Sequence, residues 1–223
     1  MTDHSALLRP AAAEFLRVAA AAQPLTAPTP CTGYDVRGLL NHSAAAEFLR
    51  VAAAAQPLTA PTPCTGYDVR GLLNHLLYWG PWLAAAGRRE TYLATGTEAD
   101  ADLVGEGWLA TLEKQTQDLV DAFAPAAAWD GLATLGSATM PAAIVGDMVL
   151  GEFVIHGWDL ARAVGVTLNC SEEAAEAVRA SAVAMGEQAR AMGVYGPEVP
   201  VAAGAPALDR ALGASGRDPA WTV

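Results

Sequence analysis

An identical internal repeat constrains this chain more than any other feature of its sequence. Thirty-two residues, AAAEFLRVAAAAQPLTAPTPCTGYDVRGLLNH, run from Ala11 to His42 and recur without a change from Ala44 to His75. The repeats of a solenoid protein diverge while they keep a pattern, and three or more copies are needed to bury a core. Here two copies agree at every position and the remaining sequence does not repeat them. We therefore interpret the repeat as a duplicated block and not as a solenoid.

Removing one copy leaves a chain of ordinary domain size. The second copy starts 33 residues after the first, so 190 of the 223 residues remain when one copy is taken away. We therefore expect a duplicated N-terminal appendage of one helix and a connector at residues 1–43, followed by a helical domain with a C-terminal tail at residues 44–223. The appendage repeats the apolar helix of the domain, so it is able to replace that helix in a neighbouring molecule and form a swapped homodimer.

Composition and charge exclude several classes of partner. The chain is 52% apolar and 17% charged, which is typical of a globular protein with a sizeable core. Its 13 basic and 24 acidic residues give a net charge of −11, which repels nucleic acid and anionic lipid. The apolar runs are interrupted before they reach the length of a membrane span, and the N-terminus lacks the pattern of a secretion signal. We expect a cytoplasmic protein whose three cysteines stay reduced.

Helical signals dominate the first part of the chain. Ser5 is expected to cap a first helix that Pro24 ends. Asp68 is expected to cap a second helix, which begins at VRGLLNH and continues through LLYWGPWLAAAGRR. The first copy of VRGLLNH runs instead into SAAAEFLRVAAAA, and this sequence predicts one helix from Val36 to about Ala55.

Helices are also predicted in the second part. The segment DADLVGEGWLATLEKQTQDLVDAFA, with Leu103 on its apolar face, predicts a helix that ends at Pro125. A polar, glycine-containing crossover is expected from Trp129 to Thr139. Pro141 is expected to open the next helix, which closes at Gly165, and SEEAAEAVRASAVAMGEQARAMG predicts another. The tail that follows is rich in proline and glycine, and we interpret its SGRDPAW segment as a structural anchor. The pattern predicts an all-α fold.

One of these helices carries a pair of side chains with the spacing of metal ligands. His156 follows Glu152 by four residues, so both project from one face of the helix. Such a pair is also common as a simple hydrogen-bonded pair, but here it lies in an apolar helix, where unpaired polar groups are costly. Two ligands on one helix hold a divalent metal only with a third, and His75 on another helix is the strong candidate. The predicted ligands are His75, Glu152 and His156.

Two further residues lie near these ligands in the sequence. Asp159, three residues after His156, is a candidate catalytic residue that either accepts a hydrogen bond from a ligand histidine or acts as a base. Pairing with Arg162, or capping of a polar helix face, is an equally good interpretation of Asp159. Cys64 precedes the helix of His75, and we interpret it as a packing residue without a catalytic role.

Three segments resemble the signatures of a known family. They are TPCTGYDVRGLLNHLLYW, GEFVIHGWDLARAVG and ALGASGRDPAW, and they resemble an actinobacterial metal-binding family of the DinB-like superfamily, related to the N-terminal domain of mycothiol-dependent maleylpyruvate isomerase. The resemblance reaches to Trp221 and departs at Tyr67, where the family motif usually has tryptophan. It implies an antiparallel four-helix bundle with an extra C-terminal segment. It also implies a divalent ion, zinc in the first place, bound by His75, Glu152 and His156.

The same resemblance suggests an activity. In the related isomerases and thiol transferases the metal activates a low-molecular-weight thiol, mycothiol, for attack on an electrophile. The isomerase also uses a separate C-terminal domain to bind the thiol, and only a short tail follows Gly196 here, which argues against isomerase activity itself. The alternative is a non-catalytic protein of the same fold that binds or sequesters a metal or small molecule. The ligand types leave the metal open between zinc, nickel and iron.

Overall fold

A computed structural model describes residues 36–223, so the helix expected at Ser5 lies outside the described residues. The helices of this part are α1 (Val36–Ala53), α2 (Val69–Arg88), α3 (Trp108–Phe123), α4 (Ala142–Gly151), α5 (Gly157–Ala163), α6 (Glu172–Ala191) and α7 (Ala207–Ala214). A π-helical turn at Glu152–His156 joins α4 to α5. Short 3-10 turns lie at Glu98–Asp100 and Ala126–Trp129.

A small β-hairpin corrects the all-α expectation. Strands β1 (Leu132–Leu135) and β2 (Ala138–Pro141) pair antiparallel in the region where a crossover was predicted. The turn between them contains Gly136 at a φ of +62°, a conformation that glycine adopts without strain. Ala133 of β1 is buried in the main core, which fixes the hairpin on the helices. The described chain is therefore mostly helical with one two-stranded sheet.

The beginnings of α1 and α2 confirm the sequence analysis. The Asp68 side chain accepts a hydrogen bond of 2.8 Å from the backbone nitrogen of Gly71, as expected of a helix cap. Helix α1 runs without a break from the end of the first copy into the second copy, as its sequence predicts. Between them, the connector folds back onto α2 through a 2.9 Å bond from the Val69 nitrogen to the Ala60 carbonyl.

The start of α3 differs from the prediction. The helix begins at Trp108, and Leu103, which was expected on its apolar face, is 41% exposed in the preceding loop. Gly107 precedes the helix at a φ of +77°, outside the helical region, so the chain cannot continue the helix backwards through this residue.

Helix α2 holds the loop that precedes α3 along one row of polar side chains. Arg70 pairs with Asp102 at 2.7 Å, and the Asn74 side-chain oxygen accepts a 2.8 Å bond from the Leu103 nitrogen. The Tyr78 hydroxyl donates to a loop carbonyl at 3.1 Å. These three side chains are spaced by four residues, so they share one face of α2. These contacts therefore fix the position of the loop along α2.

The core joins the helices that surround the π-helical turn. Helix α2 packs against α3, α4 and α5, and α1 packs against α3, α5 and the π-helical turn. The Phe48 ring on α1 lies 5.6 Å from the Phe153 ring of the π-helical turn. Helices α6 and α7 pack on each other, and α6 also contacts α4, α1 and the π-helical turn. Within residues 36–223, no helix has the length and apolar character needed to cross a bilayer.

We predict that Gly146→Ala destabilises the protein, because a Cβ atom at this position of α4 would overlap the buried Trp129 indole. Overpacking of a core typically costs about 1–3 kcal/mol. Gly151→Ala in the same helix is the matched control, since its Cβ would meet only Ile155 Cδ1, at 3.9 Å. Thermal unfolding should show a lower melting temperature for Gly146→Ala and an equal or higher one for Gly151→Ala. Equal melting temperatures for both variants would contradict this packing.

Candidate metal centre

The three predicted ligands converge at one place. His75 projects from α2, and Glu152 and His156 stand at the two ends of the π-helical turn. Both histidine Nε2 atoms lie 3.8 Å from the same oxygen, Glu152 Oε2. The two imidazole rings meet edge to face with centroids 5.3 Å apart. The side chains of His75, Glu152 and His156 are 14–20% exposed, so the site lies partly open to solvent.

The π-helical turn fixes the Glu152 and His156 pair. The three residues between them, Phe153, Val154 and Ile155, are at most 4% exposed and pack in the core. The two polar ends of the turn therefore face the same side, toward α2. Single π-helical turns of this kind occur often at functional sites.

His75 is held by a carboxylate that the sequence analysis did not single out. Its Nδ1 lies 3.0 Å from Glu98 Oε1, in the loop that α2 fixes. Glu98 also accepts bonds from Trp79 Nε1 at 2.7 Å and from the Tyr67 hydroxyl at 2.8 Å. Burial by itself raises the pKa of Glu98, but these donors outweigh it and hold the pKa below its usual value. Glu98 is therefore an ionised acceptor for the His75 ring.

His156 is held in the same way from the other side. Its Nδ1 lies 3.0 Å from Asp159 Oδ2, which confirms the hydrogen bond that the sequence allowed. Asp159 is fully buried and pairs with Arg217 Nη2 at 3.2 Å. The alternative partner, Arg162, instead donates to the carbonyl of Trp221, so the pairing of Asp159 with Arg162 is wrong.

The donor set fits a divalent cation. With each Nδ1 proton directed at a carboxylate, the neutral form of each ring leaves Nε2 as an acceptor aimed at Glu152. Glu152 Oε2 is buried and has no hydrogen-bond partner among the described residues. In that neutral form three acceptors face one another without a donor, which is unfavourable unless a positive charge, either a proton or a cation, lies between them. Two imidazoles and a carboxylate are ligands that zinc, nickel and iron accept.

Electrostatics also favours positive charge at His156. Burial acts to lower the pKa of this imidazole, but the Glu152 charge and the bond to Asp159 oppose it and raise the pKa to about 10. Without a metal, a second proton on His156 therefore supplies the positive charge at this point, and a bound cation would replace that proton.

A second group of metal-ligating side chains shares His156. Cys64, His156 and Asp159 offer atoms within 4.8 Å of one another. Arg217 Nη2 already donates to Cys64 Sγ at 3.3 Å and to Asp159 Oδ2 at 3.2 Å. Because a guanidinium is always charged, it repels a further cation from this side. The group of His75, Glu152 and His156 is the better place for an ion.

Of the first copy, the structure describes residues 36–42, and none of these belongs to either group. His42, the duplicate of His75, is exposed on α1. Cys31, the duplicate of Cys64, lies outside the described residues. The described cysteines, Cys64 and Cys170, are not joined in a disulfide. Burial raises the pKa of the Cys170 thiol to about 12, so this thiol is neutral at physiological pH.

Comparison with known proteins identifies a family for this arrangement. The family model of the mycothiol maleylpyruvate isomerase N-terminal domain matches residues 43–161. The matched range includes His75, Glu152 and His156, whereas Arg217 lies beyond it. No curated protein and no solved structure matches the chain. Since the family match covers more than half of the 223 residues, the chain belongs to the mycothiol maleylpyruvate isomerase N-terminal domain family.

Proposed function

We propose that the protein binds a divalent metal ion, zinc in the first place, through His75, Glu152 and His156, and acts on a low-molecular-weight thiol of the mycothiol type. The observation that carries the metal site is the convergence of both Nε2 atoms, each at 3.8 Å, on one buried and unpartnered carboxylate oxygen. The thiol rests on the family, whose description names mycothiol.

The reaction we propose is transfer or isomerisation with the thiol as cosubstrate. A divalent ion held by these groups supplies positive charge that lowers the pKa of a thiol or a water molecule beside it. Glu98 and Asp159 hold the Nδ1 protons of the two rings and keep their orientation. Asp159 has no exposed surface, so we assign it a positioning role and not that of a base in contact with substrate.

The helices around the site support the bundle that the family resemblance implies. We infer that α1, α2, α3 and the continuous stretch of α4, the π-helical turn and α5 form an antiparallel four-helix bundle, with α6 and α7 as the extra C-terminal segment. This arrangement places ligands on two facing helices inside the bundle, as in other metal-binding bundles. We also propose that the protein is cytoplasmic, because low-molecular-weight thiols stay reduced there.

The second copy of the repeat is the one we propose as native to the domain, which begins at residue 44. Identical side chains have different surroundings in the two copies. Asn74 accepts the loop bond from Leu103, but Asn41 is buried with both polar side-chain atoms unpaired among the described residues. A buried amide without partners costs about 1–3 kcal/mol. The first copy therefore adds a cost that the second does not, and a swapped homodimer through residues 1–43 remains part of the proposal.

We predict that Glu152→Ala and His156→Ala each abolish stoichiometric metal binding and leave helical content nearly intact. The helices are held by apolar packing, so losing the ion does not unfold them. Metal content is measured by elemental analysis of protein purified without a histidine tag, and helical content by circular dichroism. Unchanged metal content in both variants would refute the site.

The two duplicated histidines give a matched pair of variants. We predict that His75→Ala loses the metal and His42→Ala keeps it, because His75 faces Glu152 and His42 is exposed on α1. Metal content again provides the measurement. Loss of metal in His42→Ala with retention in His75→Ala would show that the copies are assigned the wrong way round.

Deleting residues 11–43 is the companion experiment for the domain boundary. The deletion joins Pro10 to Ala44, so α1 is expected to begin near this junction, and the unpaired amide of Asn41 is removed. Metal content and the melting temperature should not fall. A deleted protein that no longer folds would place the first copy inside the domain.

A turnover assay distinguishes the proposed enzyme from the alternative, a non-catalytic binding protein. We predict that the zinc-loaded protein conjugates monochlorobimane to a low-molecular-weight thiol, and that a chelator or Glu152→Ala removes this activity. Fluorescence of the thiol adduct reports the rate, and heat-treated protein with the same zinc controls for the free ion. Saturable thiol binding without adduct formation would favour the non-catalytic alternative.

A further inference from the structure

The C-terminal segment reaches the metal centre through one buried side chain. We propose that Arg217 is a positioning residue of this centre: its guanidinium fixes the Asp159 carboxylate, which in turn keeps His156 Nε2 directed at Glu152. The inference rests on the metal site proposed above. The three proposed ligands lie within residues 43–161, which the family model matches, whereas Arg217 lies in the segment that follows. The proposal therefore adds a residue of this later segment to the site.

Arg217 connects three parts of the chain at this point. Its Nη2 donates to Asp159 Oδ2 of α5 at 3.2 Å and to Cys64 Sγ of the connector before α2 at 3.3 Å. Its Nη1 donates to the Ser215 carbonyl of the tail at 3.1 Å. The side chain is only 6% exposed, so these bonds are shielded from water. One guanidinium thus determines how the tail, the connector and α5 fit together.

The backbone that carries Arg217 is closely packed. Gly216 has a φ of +83°, and a Cβ at this position would lie 2.7 Å from the backbone of Gly196. The Arg217 nitrogen donates to the Leu212 carbonyl at 2.9 Å, which closes the end of α7. Only glycine permits both the conformation and the close approach at residue 216. The guanidinium is therefore presented from a rigid support.

Asp159 depends on Arg217 for its orientation. Its Oδ2 accepts from both His156 Nδ1 and Arg217 Nη2, while its Oδ1 has no hydrogen-bond partner among the described residues. Without Arg217, only the His156 ring would hold the carboxylate. A buried ion pair adds little net stability compared with apolar packing, because desolvation of both charges opposes their attraction. What this pair provides is a fixed direction for the bond to His156.

The test uses the full-length protein with zinc as the probe. Arg217→Gln removes the guanidinium, and Arg162→Gln is the matched control, because Arg162 anchors the same tail at Trp221 without contacting Asp159. Zinc affinity is measured by competition with a chromophoric chelator. A second measurement, on metal-free protein with ¹⁵N-labelled histidine, detects the hydrogen-bonded Nδ1 proton of His156. This signal depends on the bond to Asp159 and not on overall stability.

Loss of a supporting residue around a metal site typically weakens binding about 10- to 100-fold, and we expect about 10-fold for Arg217→Gln. The His156 Nδ1 proton signal should disappear in this variant and persist in Arg162→Gln. In an Asp159→Asn background, Arg217→Gln should add less than about twofold, since the two act as one unit. Should Arg217→Gln fail to fold, Arg217→Lys keeps the charge balance and should show a weaker form of both effects.

Three results would overturn the inference. The first is that Arg217→Gln, or Arg217→Lys if the former does not fold, keeps wild-type zinc affinity and the His156 Nδ1 signal. The second is that Arg162→Gln loses as much zinc affinity as Arg217→Gln. The third is that Arg217→Gln lowers zinc affinity as much in the Asp159→Asn background as in the wild-type protein. If the wild-type protein binds no zinc, the proposed function fails, and the Nδ1 signal of the metal-free variants still decides the role of Arg217.

Discussion

The geometry of the candidate metal centre depends on two histidine–carboxylate hydrogen bonds, one for each ligand histidine. His75 and His156 are each held at Nδ1, by Glu98 and Asp159 respectively, at 3.0 Å. Only with both rings held in this way do their Nε2 atoms face Glu152 together. The helices supply the three ligands, but irregular segments supply what orients them. The loop after α2 carries Glu98, and the tail after α7 carries the partner of Asp159.

The charges around the candidate metal centre favour a cation over an anion. Glu98, Glu152 and Asp159 bring three carboxylates close to two imidazoles, and Arg217 is bonded to one of these carboxylates, that of Asp159. The guanidinium lies on the side of Asp159 and Cys64, so Glu98 and Glu152, on the two sides of the His75 ring, are the carboxylates that it does not neutralise. The polar groups thus divide into an ion pair of Arg217 with Asp159 and a part around Glu152 that favours a positive charge.

Local signals made part of this molecule predictable. The Asp68 cap, the run of α1 across the junction of the copies, and the shared face of Glu152 and His156 all depend on residues within one or two helical turns. The hairpin at residues 132–141 was missed because its strands are short and their register depends on packing against the helices. Glu98 and Arg217 were missed as site residues for a related reason. Glu98 lies 23 residues from His75, and Arg217 lies 58 residues from Asp159, so only the folded chain joins them.

The duplicated block shows how far local sequence determines a site. VRGLLNH forms helix in both copies, so the backbone conformation follows from the segment itself. The surroundings do not: His75 meets Glu98 and Glu152, whereas His42 is exposed on α1. What differs is the continuation, since LLYWGPW carries the second copy along the core and SAAAEF directs the first into α1. The same histidine therefore becomes a candidate ligand only where the following residues hold its helix against the π-helical turn.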